Sequence, residues 1–201
     1  LLVDEENSRM KVLLKGQQSD KIDLIMRMGE IIEQLKDEVE TNKHDITIIG
    51  GGGNKGIHQK LVQFIDSSVF VVKNYSVSKK YKILLPVNDS KGSDMAIETA
   101  INFAKSYKLN VEIVSVPEGK KSIEEVEKIL KKTKEKFSKN RIKTTTKLID
   151  GPTVNSIVNY AKDDSIVILG VSPKNPIMKY FFGSKPLSIA QKCNCPVLIT
   201  K

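Results

Sequence analysis

From residue 81 onward, apolar positions switch repeatedly between a two-residue and a roughly 3.6-residue period, as strands and amphipathic helices require. Residues 82–87 (KILLPV) form a short apolar run of strand length, and Asn88-Asp89-Ser90 after it are turn and helix-cap residues. From Ser93 onward, Ala96, Ile97, Ala100, Ile101 and Ala104 trace one helix stripe. Residues 111–116 alternate as a second strand. Ile123, Val126, Leu130 and Phe137 then recur at helical spacing through 122–138. A third strand is predicted over 142–149, where Thr144-Thr145-Thr146 has high β-propensity. Asp150-Gly151-Pro152 turns the chain into a helix over 153–162, with proline near its start. A fourth strand (165–170, SIVILG), a helix over 184–192 and a fifth strand (196–200, PVLIT) complete the series.

Strands alternating with crossovers of a dozen or more residues predict an α/β fold, a doubly wound parallel five-stranded sheet with helices on both faces. Such sheets bind ligands beyond the carboxyl ends of their strands, where strand order reverses. Those ends carry Asn88, Val116, Gly151 and Gly170.

The first 75 residues echo this pattern. Residues 46–50 (ITIIG) resemble 166–170 (IVILG), 68–73 (SVFVVK) resemble 195–201, and 11–14 (KVLL) resemble 82–85 (KILL). Gly56 lies thirteen residues before Val69, as Gly183 lies thirteen before Pro196, but the loop 50–56 is seven residues shorter than 170–183. A helix is predicted over 20–40, with Ile22, Ile25, Met28, Ile32, Leu35 and Val39 on one face and Met26 beside it as packing. The organisation expected is a shortened β-α-β-α-β repeat over 10–75, a linker over 73–80 and a complete repeat over 79–201. The two repeats are expected to pack about a pseudo-twofold axis. Residues 1–9 read as disordered or linker.

Composition narrows the function. The 201 residues are 39% hydrophobic, within the range of globular chains. No apolar run approaches the roughly 20 residues of a membrane span. No basic segment precedes an apolar one at the N-terminus, so a cytoplasmic chain is expected. Net charge is +9 and the pI about 9.4, a balance that suits nucleic acid or an anionic membrane surface. The lysines of 120–143, however, alternate with Glu124, Glu125, Glu127 and Glu135, the pattern of a solvated helix face. Aromatic residues, at 5%, are too few for a base-stacking platform, which argues against nucleic acid. Cys193 and Cys195, one residue apart with no second Cys or His pair nearby, read as small packing residues. His58 reads as a capped surface histidine. The pairs Glu124-Glu125 and Asp163-Asp164 read as surface charge. With no Gly-x-Ser-x-Gly elbow and no metal-ligand cluster, no enzyme is expected.

Three motifs carry a family resemblance. Pro86-Val87-Asn88-Asp89-Ser90 closes the first strand of the second repeat. Gly170-Val171-Ser172-Pro173, nine residues, and Gly183-Ser184 follow its fourth, and Cys195-Pro196-Val197-Leu198-Ile199 forms its last. Over about 120 residues the chain resembles universal stress proteins. The resemblance implies an adenine nucleotide alpha hydrolase-like fold. It also implies an ATP or AMP site contributed by Pro86, Val87, Asn88, Val116, Gly170, Val171, Ser172, Gly183, Ser184 and Lys185. In that family the glycines let backbone N–H groups reach phosphates, and Gly-Ser opens a helix whose N-terminus favours an anion. This chain departs from the pattern at Pro173, which has no N–H to donate, and at Asn88, where the family places an acid. Pro186 on the helix's first turn removes another donor, while Lys174, Lys179 and Lys185 supply positive charge. The glycine run 50–56 lacks the Lys-Ser/Thr of a Walker loop and reads as a tight turn.

The resemblance implies a non-catalytic regulatory or sensory module with a degenerate adenine nucleotide site, the repeats pairing within the chain or as a homodimer. Because the chain begins at Leu1, the same module reads as the cytosolic regulatory domain of a membrane transporter, at the inner face of the membrane. A free-standing tandem stress protein that binds ATP or AMP, and a nucleotide-processing enzyme of the same superfamily, are the alternatives.

Overall fold

Seven strands hydrogen-bond into one sheet: β1 (Ile46–Gly50), β2 (Ser68–Val72), β3 (Lys82–Pro86), β4 (Val111–Ser115), β5 (Thr144–Leu148), β6 (Ser165–Gly170) and β7 (Val197–Thr200). Their order is β1-β2-β7-β6-β3-β4-β5. The computed structural model describes residues 25–52, 55–119, 122–171 and 185–201. The predicted segments 1–9 and 11–14 lie outside them. Every pairing is parallel except β2 with β7, where Val69 faces Ile199, Phe70 faces Leu198 and Val71 faces Val197. Strand order reverses at β3, which pairs with both β4 and β6.

The helices are α1 (Ile31–Asn42), α2 (Lys55–Phe64), α3 (Lys91–Tyr107), α4 (Ile123–Lys139), α5 (Thr153–Tyr160) and α6 (Lys185–Lys192). Each strand residue faces one side or the other, so the sheet builds two cores. Leu84, Val114, Val167 and Val197 pack with Leu61 of α2, Ile157 of α5 and Ile189 of α6. Ile83, Leu85, Ile113 and Ile168 pack on the opposite face with Ala96 and Ala100 of α3 and Phe137 of α4. β6 is buried along both faces except at its terminal glycine, hence its unbroken apolar run.

Three expectations are corrected. Of the helix predicted over 20–40, positions 20–24 lie outside the described residues, residues 25–30 are not helical, and the helix begins at Ile31: Gly29 takes φ +127°, and Glu30 caps the helix by accepting from Ile32 N at 2.9 Å. A glycine in that left-handed region ends the helical pattern before it begins. Ile25 and Met28 consequently sit outside the helix and exposed, Met28 at 74%, while Ile32 and Val39 keep the core face. Ile123 is also exposed, because Ser122 and Glu125 form a capping box that makes it the first helical residue, outside the core turn. Glu125 is thereby a cap and more than surface charge. Cys193 and Cys195, by contrast, agree with their reading as packing residues: both are buried within the apolar cluster.

Two lysines fasten the β2–β7 seam. Lys73, just past β2, donates from Nζ to the carbonyls of Ala190, Gln191 and Cys193 at 2.7, 3.1 and 3.0 Å, around the C-terminal end of α6. Lys201, just past β7, donates from Nζ to the carbonyl of Ile65 at the C-terminal end of α2. Each cation meets the unsatisfied carbonyls and negative pole of a helix end across the seam. Gly51 makes room for the first of them: a Cβ there would lie 2.0 Å from Lys73 Cγ.

Candidate functional site

At the carboxyl edge of β3, β4 and β6 the sheet opens into a cavity of about 450 Å³. Its floor is apolar, with Val114, Leu169, Ile157 and Ile189 among the lining residues. Its rim includes Asn88, Asp89, Ser90, Glu118 and Lys185.

The turn after β3 is organised by its own hydrogen bonds. Val87 N donates to Val114 O at 2.8 Å, and Ser115 Oγ donates to Val87 O at 2.7 Å, binding this strand end to β4. Asn88 N donates to Ser93 Oγ at 3.1 Å. Asn88 Oδ1 accepts from Ser90 N at 3.0 Å and Ser90 Oγ at 2.6 Å. Ser90 in turn caps α3 by accepting from Ser93 N at 3.2 Å. Both lone pairs of Asn88 Oδ1 are therefore engaged within the turn, and what this side chain offers a ligand is its amide N–H donors.

Gly170 closes β6 where α3 begins. A Cβ on it would lie 1.6 Å from Gly92 O and 2.3 Å from Gly92 C, so any larger residue would collide with backbone. The glycine is required by the approach of α3 to the sheet, independently of any ligand. It lines the cavity because that approach brings both elements to its wall.

At the mouth, Lys185 Nζ donates to Glu118 Oε2, an ion pair that joins the loop after β4 to the first residue of α6. Both side chains are partly exposed, at 39% for Glu118 and 55% for Lys185.

Of the residues singled out in the sequence, Pro86, Val87, Asn88, Val116, Gly170 and Lys185 come together around this cavity. Val171 does not: it packs against the apolar cluster beneath the sheet, and its N–H donates to Thr200 O at 3.0 Å. Ser172, Gly183 and Ser184, with Pro173, Lys174 and Lys179, lie outside the described residues. Glu118, Thr153, Ile157 and Ile189 line the cavity without having been singled out as ligand contacts. Glu118 was within reach, since it stands two residues after Val116 at a strand's carboxyl end. The other three belong to helices, where the face toward a cavity and the face toward the core are equally apolar.

The first glycine loop is built differently. His58 is not on the surface as expected. It is 5% exposed, and its Nε2 donates to Gly50 O at 3.1 Å, closing the end of β1. Gly50 is itself exposed, so the bond chiefly gives the buried imidazole the partner that a buried polar side chain needs. Gly51 N donates to Val72 O at 2.8 Å. Among the described residues, no group of three or more His, Cys, Asp or Glu side chains could hold a metal, and no helix is long and apolar enough to cross a membrane.

A doubly wound sheet with a cavity at its switch point defines an α/β domain of the architecture in which ligands sit at the carboxyl ends of the strands. The family model of the universal stress protein family matches residues 81–201. The chain belongs to that family. A universal stress protein of Methanocaldococcus jannaschii is 28% identical over 138 residues, covering 60% of this chain and 81% of the relative. A universal stress protein structure from Archaeoglobus fulgidus superposes with a TM-score of 0.74 at 17% identity, over 98% of this chain and 78% of its own. A universal stress protein solved in complex with cAMP superposes at 0.52 and 18% identity, over 61% of this chain and 98% of its own.

Proposed function

We propose that the chain is a non-catalytic sensing module that takes an adenine nucleotide, AMP or ATP, into the cavity at the carboxyl edge of β3, β4 and β6. The observation that carries this reading is the cavity itself. Its volume of about 450 Å³ falls within the roughly 300–1,000 Å³ usual for small-molecule sites. Its apolar floor suits a flat base and its polar rim suits a ribose. The relative solved with cAMP has the same fold and an adenine ligand. The site is degenerate in this reading, because Asn88 Oδ1 is spent on Ser90 and Pro173 offers no N–H.

The same proposal divides the chain into a shortened repeat, 10–75, and a complete one, 79–201. Support comes from the antiparallel β2–β7 pairing, which a local twofold axis between equivalent strands would produce, and from Lys73 and Lys201 serving the same purpose across it. Because β2 occupies the outer edge of β7, the repeats pair within the chain in this reading. As a regulatory domain attached to a membrane transporter, the module would have apolar spans encoded upstream of Leu1, which reading that sequence decides.

Isothermal titration with AMP tests the nucleotide reading. Val116→Trp, at the half-buried cavity wall, is expected to abolish AMP binding and leave the melting temperature nearly unchanged. Unchanged affinity in that variant would refute the assignment. Incubation with ATP is expected to release no phosphate.

A further inference from the structure

Glu118 and Lys185 face each other across the cavity mouth, and the proposed adenine site gives their pairing a consequence. We propose that Glu118 is a specificity-determining residue, a charge filter that sets the cavity to prefer adenosine and its monophosphate over the triphosphate. The inference rests on the adenine-binding reading and adds to it a residue that belongs to none of the family motifs.

The filter is electrostatic. Among the described residues that line the cavity, the ammonium is that of Lys185. That ammonium is bound to the Glu118 carboxylate. A phosphate group reaching Lys185 must displace Glu118 from the ammonium or share it, and then lies close to that carboxylate. The first step costs little, because a partly exposed ion pair contributes roughly 0–1 kcal/mol. The second grows with the ligand's charge, since each added negative charge within several ångströms of a carboxylate is repelled. A neutral nucleoside meets neither obstacle. The pair also bridges two separate elements, the loop after β4 and α6, so the mouth is set by side chains that can part without breaking a strand or helix.

The test is titration calorimetry at low salt with adenosine, AMP and ATP, on the wild-type chain and on Glu118→Gln and Lys185→Met. Exposure of both side chains makes either variant compatible with folding, and thermal melts verify that. Wild-type chain is expected to bind AMP at least as tightly as ATP. Glu118→Gln is expected to tighten ATP about tenfold and AMP about threefold while leaving adenosine within about twofold, the pattern of one removed charge. Lys185→Met is expected to weaken AMP and ATP, not adenosine. Raising salt to about 0.5 M should shrink the ATP gain of Glu118→Gln. If Glu118→Gln moves adenosine as much as ATP, or Lys185→Met leaves AMP unchanged, the filter is overturned while adenine binding stands. If the folded wild-type chain binds neither adenosine nor AMP, the adenine-binding reading fails and the filter fails with it.

Discussion

Gly50 ends β1 and Gly170 ends β6, two strands of nearly the same sequence, yet their surroundings differ. A methyl group at Gly50 would meet nothing within 4 Å, whereas one at Gly170 would collide with the backbone of Gly92. The second strand end has α3 packed against it, and the cavity opens beside that contact. The first has a histidine on its terminal carbonyl and a lysine stem lying across the next residue. Similar strands thus serve separate ends, one bounding a recess and the other helping to fasten the seam between β2 and β7. A glycine after a strand does not by itself mark a ligand site, and what packs on it decides.

The contrast breaks most directly by adding one methyl group. Gly170→Ala is expected to destabilise the fold by about 3 kcal/mol, because overpacking against backbone has no cheap relief. Gly50→Ala should stay within about 0.5 kcal/mol, and paired denaturant melts compare the two. Equal losses would mean that the environments do not differ as described. Next in size is Lys73→Met. It strips the ammonium from three carbonyls around the end of α6 and should cost about 2 kcal/mol, given the usual 1.5–3 for hydrogen bonds to charged groups. Lys201→Met, with one such bond described, should cost about half as much. Ser90→Ala removes the α3 cap beside the cavity and should lose about 1 kcal/mol by the same assay.

The smallest effect is a pH dependence on the cavity half of the sheet. Burial raises the Glu112 carboxyl, but hydrogen bonds from Tyr160 OH at 2.5 Å and Lys82 Nζ at 2.9 Å outweigh it and hold the group below its ordinary range. A carboxylate depressed in the folded state contributes stability above its unfolded value near 4.3 and loses it as pH falls through the folded value. Acid melts of the wild type should therefore lose slightly more stability below pH 4 than those of Glu112→Gln. Tyr160 is pushed up to about 12 by burial and by Glu112, so its contribution is complete below its unfolded value near 10 and is lost as pH rises from there through about 12.

Burial explains which parts of this architecture were legible in the sequence. β6 was read end to end because a strand covered on both faces is an unbroken apolar run. β5 is shorter than its propensity predicts because it is an edge strand with exposed Thr145, Thr146 and Lys147, and no core bounds its ends. α1 begins later than its stripe predicts because Ile25 and Met28 continue the helical stripe in phase, and the positive φ at Gly29 interrupts it. Within the site, the turn Pro86-Val87-Asn88 and Gly170 were visible because strand ends carry turn chemistry. The hydrogen bonds that turn Asn88 Oδ1 inward were invisible, since they depend on how Ser90 folds back. Glu118, two residues past Val116, is placed by the sequence at the carboxyl end of β4, but its partner on α6, distant in the chain, is visible only in the fold.

The two strand ends can be distinguished in one titration. Adding AMP to isotopically labelled chain and following backbone amide resonances reports which end of the sheet meets the ligand. Shifts are expected at Val87, Asn88, Val116, Gly170 and Lys185, with Gly50, Gly51 and Gly52 unmoved. Shifts confined to Gly50–Gly52, or a spectrum unchanged at saturating AMP, would contradict that placement of the ligand.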